Sequence, residues 1–189
     1  MSPPRREDHD AALAADVAGA REGSVPAFER IYRDLSPSVA SYLRWNGVVD
    51  VESLTNVVLA QVHRNLDTFT GDAPAFRSWV FTIAHHRMVD DRRASGRRPV
   101  IADAEIHEAN LVGNAEEDAL DVLGNRRLQE LLDGLSPDQR EVLLLRIVAD
   151  LSLEDVAIAL GKRRGAIKSL QHRALATLRR QLDRERAES

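Results

Sequence analysis

The chain of 189 residues has no cysteine and very few aromatic side chains. Without cysteine, disulfides and thiolate metal sites are excluded, and a reducing cytosol is the expected setting. No apolar run approaches the ~18 residues of a membrane span, and the first residues, MSPPRREDHD, lead into no apolar core of a secretory signal. We therefore expect a cytoplasmic protein without membrane insertion.

The composition favours an all-α protein. Hydrophobic residues make up 43% of the chain, enough for packed cores, and no long run of β-branched residues occurs. The net charge of −4 hides a segregation, because residues 99–125 hold seven acids and no Lys or Arg, whereas basic groups cluster at 85–98 and 162–186. We expect two small helical bundles joined by a flexible acidic linker. The expected parts are a disordered N-terminus over 1–9, a first bundle over 10–97, a linker over 98–115 and a second bundle over 116–185.

Helical spacing and cap residues divide the first bundle into segments. We expect a helix over Asp10–Arg21 and a second helix that opens at Ser24, breaks at Ser36-Pro37 and resumes to Gly47. Asp50 is expected to cap a third helix over Val51–Leu66. Pro74 marks the first turn of a fourth helix that runs to about Arg97.

The second bundle ends in the pattern of a helix-turn-helix. A helix over Glu116–Leu132 is followed by the helix start Ser136-Pro137-Asp138-Gln139. Ser152 caps the next, short helix, and Gly161 follows where a helix ends in a left-handed residue. In the helix that starts at Ser136, the residues expected to be buried are Val142, Leu143, Leu144, Ile147 and Val148. In the helix that follows Gly161, they are Ile167, Leu170, Ala174, Leu178 and Leu182.

The other face of the last helix is basic. Residues 162–186 contain nine Lys or Arg and two acids. The second helix of a helix-turn-helix lies in the DNA major groove, so this face predicts duplex DNA binding; an amphipathic hairpin whose charges only face water is the other interpretation. The candidate DNA contacts are Arg163, Arg164, Lys168, Ser169, Gln171, His172 and Arg173.

Three stretches together resemble the extracytoplasmic-function (group IV) RNA polymerase sigma factors of bacteria. FERIYRDLSPSVASYL resembles the opening of region 2, and LDTFTGDAPAFRSWVFTIAHHRMVDDRR resembles its promoter-melting segment, which reads the −10 element. LSPDQREVLLLRIVADLSLEDVAIALGKRRGAIKSLQHRAL resembles region 4, which reads the −35 element. The resemblance covers almost the whole chain, and its motifs occur in the family's order.

The resemblance implies partners and site residues. The partners are core RNA polymerase, through its β′ clamp helices and β flap, promoter DNA and an anti-sigma factor; no cofactor or metal is implied. Aromatic rings beside cations suit the single-stranded −10 element. The implied single-strand contacts are Phe69, Asp72, Trp79, His85, His86, Arg87, Arg92 and Arg93. The implied polymerase contacts are Leu54, Thr55, Asn56, Val58 and Gln61.

Two departures from the family pattern leave other functions open. Ser53-Leu54-Thr55-Asn56-Val57 stands where the family has acidic-Leu-Thr-Gln-acidic, which weakens charge pairing with polymerase. Leu170 replaces an Arg, which shifts base preference to Lys168, Gln171 and His172. The alternatives are a helix-turn-helix regulator that acts without core polymerase and a module that titrates other sigma factors. An enzyme is disfavoured, because no phosphate-binding loop, Gly-x-Ser-x-Gly or metal-ligand spacing occurs.

Overall fold

A computed structural model describes residues 6–96 and 126–188. Every regular element within these residues is a helix, which confirms the predicted all-α class. The expected linker over 98–115, and residues 1–5 of the expected disordered N-terminus, lie outside the described residues. None of the described helices combines the length and the apolar character that a bilayer crossing requires.

The helices fall into two groups along the chain. The first bundle contains α1 (Arg6–Arg21), α2 (Val25–Trp45), α3 (Val51–Arg64), a single 3₁₀ turn (Leu66–Thr68) and α4 (Ala73–Ala94). The second bundle contains a helix whose described part is 126–133, here α5, followed by α6 (Pro137–Ile147), α7 (Leu153–Ala159) and α8 (Arg164–Glu188). The apolar side chains of both bundles join in one contiguous core.

The predicted cap residues begin the helices. Asp50 Oδ1 accepts a hydrogen bond from Ser53 N at 3.0 Å, and Asp72 Oδ1 accepts one from Ala75 N at 2.9 Å. Ser136 and Ser152 each form a reciprocal capping box with the residue three positions later. Each cap satisfies backbone N–H groups that the first turn of a helix leaves without a partner.

Two expectations about the first bundle need correction. α1 begins at Arg6, so residues 6–9, expected to be disordered, are helical. α2 continues through Pro37, where a break was expected. An internal proline costs a helix about 3 kcal/mol, but Val39, Tyr42 and Leu43 beyond it are all 0% exposed. Their burial contributes about 1.5–3 kcal/mol per side chain, so tertiary packing outweighs the proline.

One core prediction in the second bundle is wrong. Ile147, expected to be buried, is 70% exposed, whereas Leu145 is fully buried. The helix is buried along six consecutive residues, 140–145, because α8, α7 and α2 of the first bundle all contact α6. A single apolar stripe therefore does not predict which residues of α6 are buried, because helices of both bundles pack against it.

Removing the cap of α7 should destabilise the second bundle. Ser152→Ala removes two hydrogen bonds of the Ser152 hydroxyl, the one that it accepts from Asp155 N at 3.1 Å and the one that it donates to Asp155 Oδ2 at 2.6 Å. We expect a loss of about 1 kcal/mol in the free energy of unfolding and a fall of about 2–4 °C in Tm, because the two bundles share one core and together exceed 150 residues. Thermal unfolding followed by circular dichroism measures it. Ser152→Thr, which keeps a hydroxyl cap, is the control, and an equal fall in both variants would contradict the capping role.

Candidate nucleic-acid interface

The turn between α7 and α8 depends on a glycine. Gly161 has φ +60, and a Cβ built on it would meet nothing within 4 Å. The requirement is therefore for the left-handed backbone rather than for space. Lys162 N donates to Ala157 O at 2.9 Å, which closes the end of α7. α8 then begins at Arg164, as expected for the second helix of a helix-turn-helix.

α8 separates an apolar face from a cationic face. Ile167, Leu170 and Ala174 are buried at 0–9% exposure and hold the helix against the bundle. Leu178 and Leu182 are only half-buried. The exposed candidate DNA contacts are Arg163, Arg164, Lys168, Ser169, His172 and Arg173, with Gln171 half-buried beside them. All seven candidates thus lie outside the buried stripe, six of them on α8 and Arg163 directly before it.

Neighbouring side chains hold some of these cations in place. Arg164 forms an ion pair with Glu154 of α7, and Lys162 Nζ lies 3.1 Å from Asp138 Oδ2. Arg173 Nε donates to Ser169 O at 3.4 Å along the helix. The Lys168 side chain, in contrast, engages no hydrogen bond or ion pair within the described part of the chain. Lys168 is accordingly available to a ligand, and so is the exposed Arg163.

An aromatic cluster lies at the start of α4. The ring centroids of Phe69 and Phe76 are 5.1 Å apart, and those of Phe69 and Trp79 are 5.3 Å apart. Phe69 is 7% exposed and Phe76 is fully buried, whereas Trp79 is half-buried. Trp79 is therefore the ring of this cluster with open surface. Asp72, exposed beside it, is the N-cap of α4.

The cations farther along α4 are largely engaged. Arg87 Nε donates to Gln61 Oε1 of α3 at 2.6 Å, and Arg92 Nη2 donates to Asn46 O at 2.7 Å. His85 Nδ1 lies 2.6 Å from Glu141 Oε1 of α6. The exposed members are His86 and Arg93, the latter 3.8 Å from Asp90. The predicted single-strand contacts therefore lie on one helix and its preceding loop, but they differ widely in exposure.

The residues predicted to bind polymerase lie on α3 with unequal exposure. Val58 and Thr55 are buried at 0% and 5%, Leu54 and Gln61 are half-buried, and Asn56 is exposed. Tyr32 Oη donates to Asn56 Oδ1 at 2.7 Å. The outward face of α3 is a shallow depression of about 560 Å³, lined by Asp50, Glu52, Ser53, Asn56, Val57, Ala60 and Arg64. Of these seven residues only Asn56 is among the predicted polymerase contacts, although the offset of the others from the apolar stripe of α3 is visible in the helical spacing.

Comparisons with known proteins bear on both bundles. Family models match over residues 30–98, for sigma-70 region 2, and over residues 125–178, for sigma-70 region 4. The chain is 34% identical over 182 residues to the ECF RNA polymerase sigma factor BldN of Streptomyces coelicolor, covering 95% of this chain and 69% of BldN. It is 33% identical over 178 residues to the ECF RNA polymerase sigma factor SigD of Mycobacterium tuberculosis, covering 90% of this chain and 82% of SigD.

This chain belongs to the ECF sigma factors. As a sigma factor, it directs promoter-specific initiation by RNA polymerase. The matched segments place α2 from Arg30 onward, α3 and α4 in region 2, and α6, α7 and most of α8 in region 4.

Two solved structures share the fold of this sigma factor. One is CnrH in complex with the cytosolic domain of CnrY, at 24% identity and a TM-score of 0.64, covering 91% of this chain and 97% of CnrH. The other is the sigma factor RpoE in complex with the anti-sigma factor NepR from Bartonella quintana, at 24% identity and a TM-score of 0.63. The match covers 84% of this chain and 98% of RpoE. At these identities the likeness concerns the fold alone.

Proposed function

We propose that α8 reads the duplex −35 element while α4 and the loop before it hold the unpaired −10 strand. The observation that carries the proposal is the exposed cationic face of α8, opposite the buried Ile167 and Ala174. Lys168, His172 and Arg173 lie near the N-terminal half of the helix, the part that contacts base edges in a helix-turn-helix. Lys168, Gln171 and His172 are the proposed base-reading residues, and the neighbouring arginines contact phosphates.

The −10 assignment centres on Trp79, His86 and Arg93. Each has open surface on α4, and a base stacked on an aromatic ring contributes about 1–3 kcal/mol. Buried Phe69 acts through Trp79, against which its ring packs, rather than by direct stacking. Arg87 and Arg92, each held by a neutral oxygen, keep their positive charge beside this surface.

The proposed place of action is the cytoplasm, with core RNA polymerase as the enzyme and this chain as a subunit without catalysis of its own. The outward face of α3 is the proposed contact with the β′ clamp helices, and the second bundle is the proposed contact with the β flap. The Bartonella RpoE is in complex with the anti-sigma factor NepR, and CnrH is in complex with the cytosolic domain of CnrY. We extend this to an anti-sigma factor for the present chain.

Transcription with purified core polymerase on a genomic fragment library tests this function. We expect the full-length chain to bind core polymerase and to produce discrete start sites that core polymerase alone does not select. A regulator that acts without polymerase would instead shift promoter DNA alone. A module that titrates other sigma factors would bind such a factor and select no start site. Either result would overturn the proposal.

Restoring acids to α3 should strengthen polymerase binding. Ser53 and Val57 are exposed one turn apart on the outward face, and Val57 is 40% exposed. In Ser53→Asp/Val57→Glu, two carboxylates would complement a cationic partner, and rim charges act mainly on the association rate. We expect a several-fold faster association with core polymerase, reduced at high salt. Surface plasmon resonance measures the rate, Val57→Gln is the uncharged control, and a slower rate for the acidic pair would contradict this contact.

A further inference from the structure

Lysine is almost absent from this arginine-rich chain. Of its 26 Lys and Arg residues only two are lysines, Lys162 and Lys168. Both lie in the helix-turn-helix, Lys162 in the turn after Gly161 and Lys168 on α8. Residues 1–161, which contain the whole of region 2, have no lysine. Chemistry directed at lysine side chains is therefore confined to the part of the chain that is proposed to read the −35 element.

The two kinds of basic side chain differ in reactivity. The lysine amine accepts an acyl group, whereas the arginine guanidinium stays protonated and does not. In the reaction with an acyl phosphate, the ammonium group first releases a proton to water. Nζ then forms a bond to the acyl carbon, the bond from that carbon to the phosphate oxygen breaks, and phosphate leaves with the second proton. The product is a neutral amide, so the positive charge and all but one of the N–H donors are lost.

The surroundings of Lys168 leave its amine open to a small acyl donor. Side chains on a helix lean toward its N-terminus, over the residues three and four positions earlier. For Lys168 these are Gly165, which has no side chain, and Arg164, which is paired with Glu154 of α7. A Cβ built on Gly165 would meet nothing within 4 Å. The exposed amine therefore has open space beside it on the helix surface.

Lys162, in contrast, has a contact that acylation would break. Its Nζ donates a hydrogen bond to Asp138 Oδ2 at 3.1 Å, which joins the turn to the first turn of α6. Its side chain is 35% exposed. Lys168 is exposed, and its acylation breaks no hydrogen bond or ion pair within the described part of the chain. Acylation is therefore expected to favour Lys168 over Lys162.

We propose that acylation of Lys168 by an acyl phosphate switches off −35 recognition and leaves polymerase binding intact. The inference rests on the proposed function of α8. The modification removes a positive charge that faces the DNA and the donors that would contact a base edge. The proposed polymerase contact on α3 lies in region 2, which has no lysine. The modified chain therefore still occupies polymerase, but it selects promoters poorly.

Acetyl phosphate is the probe for this site. The full-length chain is treated with it, and mass spectrometry follows the acetylation of both lysines in peptides cut at acidic residues. We expect Lys168 to be acetylated several-fold faster than Lys162. The Kd of the holoenzyme for a promoter selected from the library should rise about tenfold, and the Kd for core polymerase should not change. Faster acetylation of Lys162, or an unchanged promoter Kd with Lys168 fully acetylated, would overturn the proposal.

Two arginine variants separate Lys168 from the other reactive amines of the chain. Lys168→Arg keeps a positive charge that acetyl phosphate does not modify, so its promoter Kd should be the same before and after treatment. Lys162→Arg is the matched control and should lose promoter affinity as the wild-type chain does. An equal loss in Lys168→Arg and the wild-type chain would refute the assignment. If the untreated wild-type holoenzyme did not distinguish a promoter from a copy with a changed −35 element, the proposed function of α8 would fail instead.

Discussion

Reversing two charges on α8 should abolish promoter-specific initiation. In Lys168→Glu/Arg173→Glu, two exposed cations on successive turns become acids that repel the phosphates of the −35 duplex. Loss of the base contact of Lys168 removes about 1–3 kcal/mol of discrimination, and loss of the phosphate contact of Arg173 adds to it, so we expect promoter affinity to fall by about tenfold or more. Multi-round transcription with core polymerase and a promoter selected from the library measures the effect, together with binding of the holoenzyme to that promoter.

A cation far from the turn supplies the control. Arg186 is exposed in the last turn of the same helix. It lies 13 residues after Arg173, which is about 20 Å at a rise of 1.5 Å per residue. Arg186→Glu should retain most of the transcription. If the double reversal reduced transcription no more than Arg186→Glu does, α8 would not be the −35 reader.

The second large effect concerns the stability of region 2. Phe76 is 0% exposed, and its ring contacts Phe69 and Trp79 at the start of α4. Phe76→Ala should lower the free energy of unfolding by about 3–5 kcal/mol, because the large cavity collapses only partly. Urea unfolding followed by circular dichroism measures the loss. Transcription should fall as well, because the loop and Trp79 lose their support.

Phe28 provides a matched substitution of the same chemistry. It is half-buried and its ring lies 4.5 Å from the His63 ring at the edge of the bundle. Phe28→Ala should cost clearly less than Phe76→Ala, since part of the ring is already in water. Equal losses would mean that the aromatic cluster does not support α4.

Local signals in the sequence predicted the helix starts and the helix-turn-helix, since cap residues and a turn glycine act within a few positions. The capping boxes at Ser136 and Ser152 and the left-handed Gly161 are of this kind. The continuity of α2 through Pro37 was not predictable in that way, because it depends on partners distant in sequence. The exposure of Ile147 has the same origin in contacts between helices.

The site residues show the same difference between local sequence signals and contacts with distant segments. The cationic face of α8 follows from helical spacing alone, and the structure exposes it. The spacing of α4 also places His85 among polar residues, but it does not reveal Glu141, 56 positions later in the chain. Phe69 reads as a loop residue, yet two rings from α4 bury it. Contacts between distant segments therefore decide which of the proposed ligands of the −10 strand are accessible.

The partners of Arg87 and Arg164 differ in a way that affects their electrostatics. Gln61 orients the Arg87 guanidinium through an uncharged amide oxygen, which leaves the positive charge of Arg87 unopposed by this partner. Arg164 is instead paired with the Glu154 carboxylate, and it must release that carboxylate before it can bind a DNA phosphate. In the proposed DNA complex we therefore expect more counterion release at Arg87 than at Arg164, and we expect Glu154→Gln to steepen the salt dependence of promoter binding.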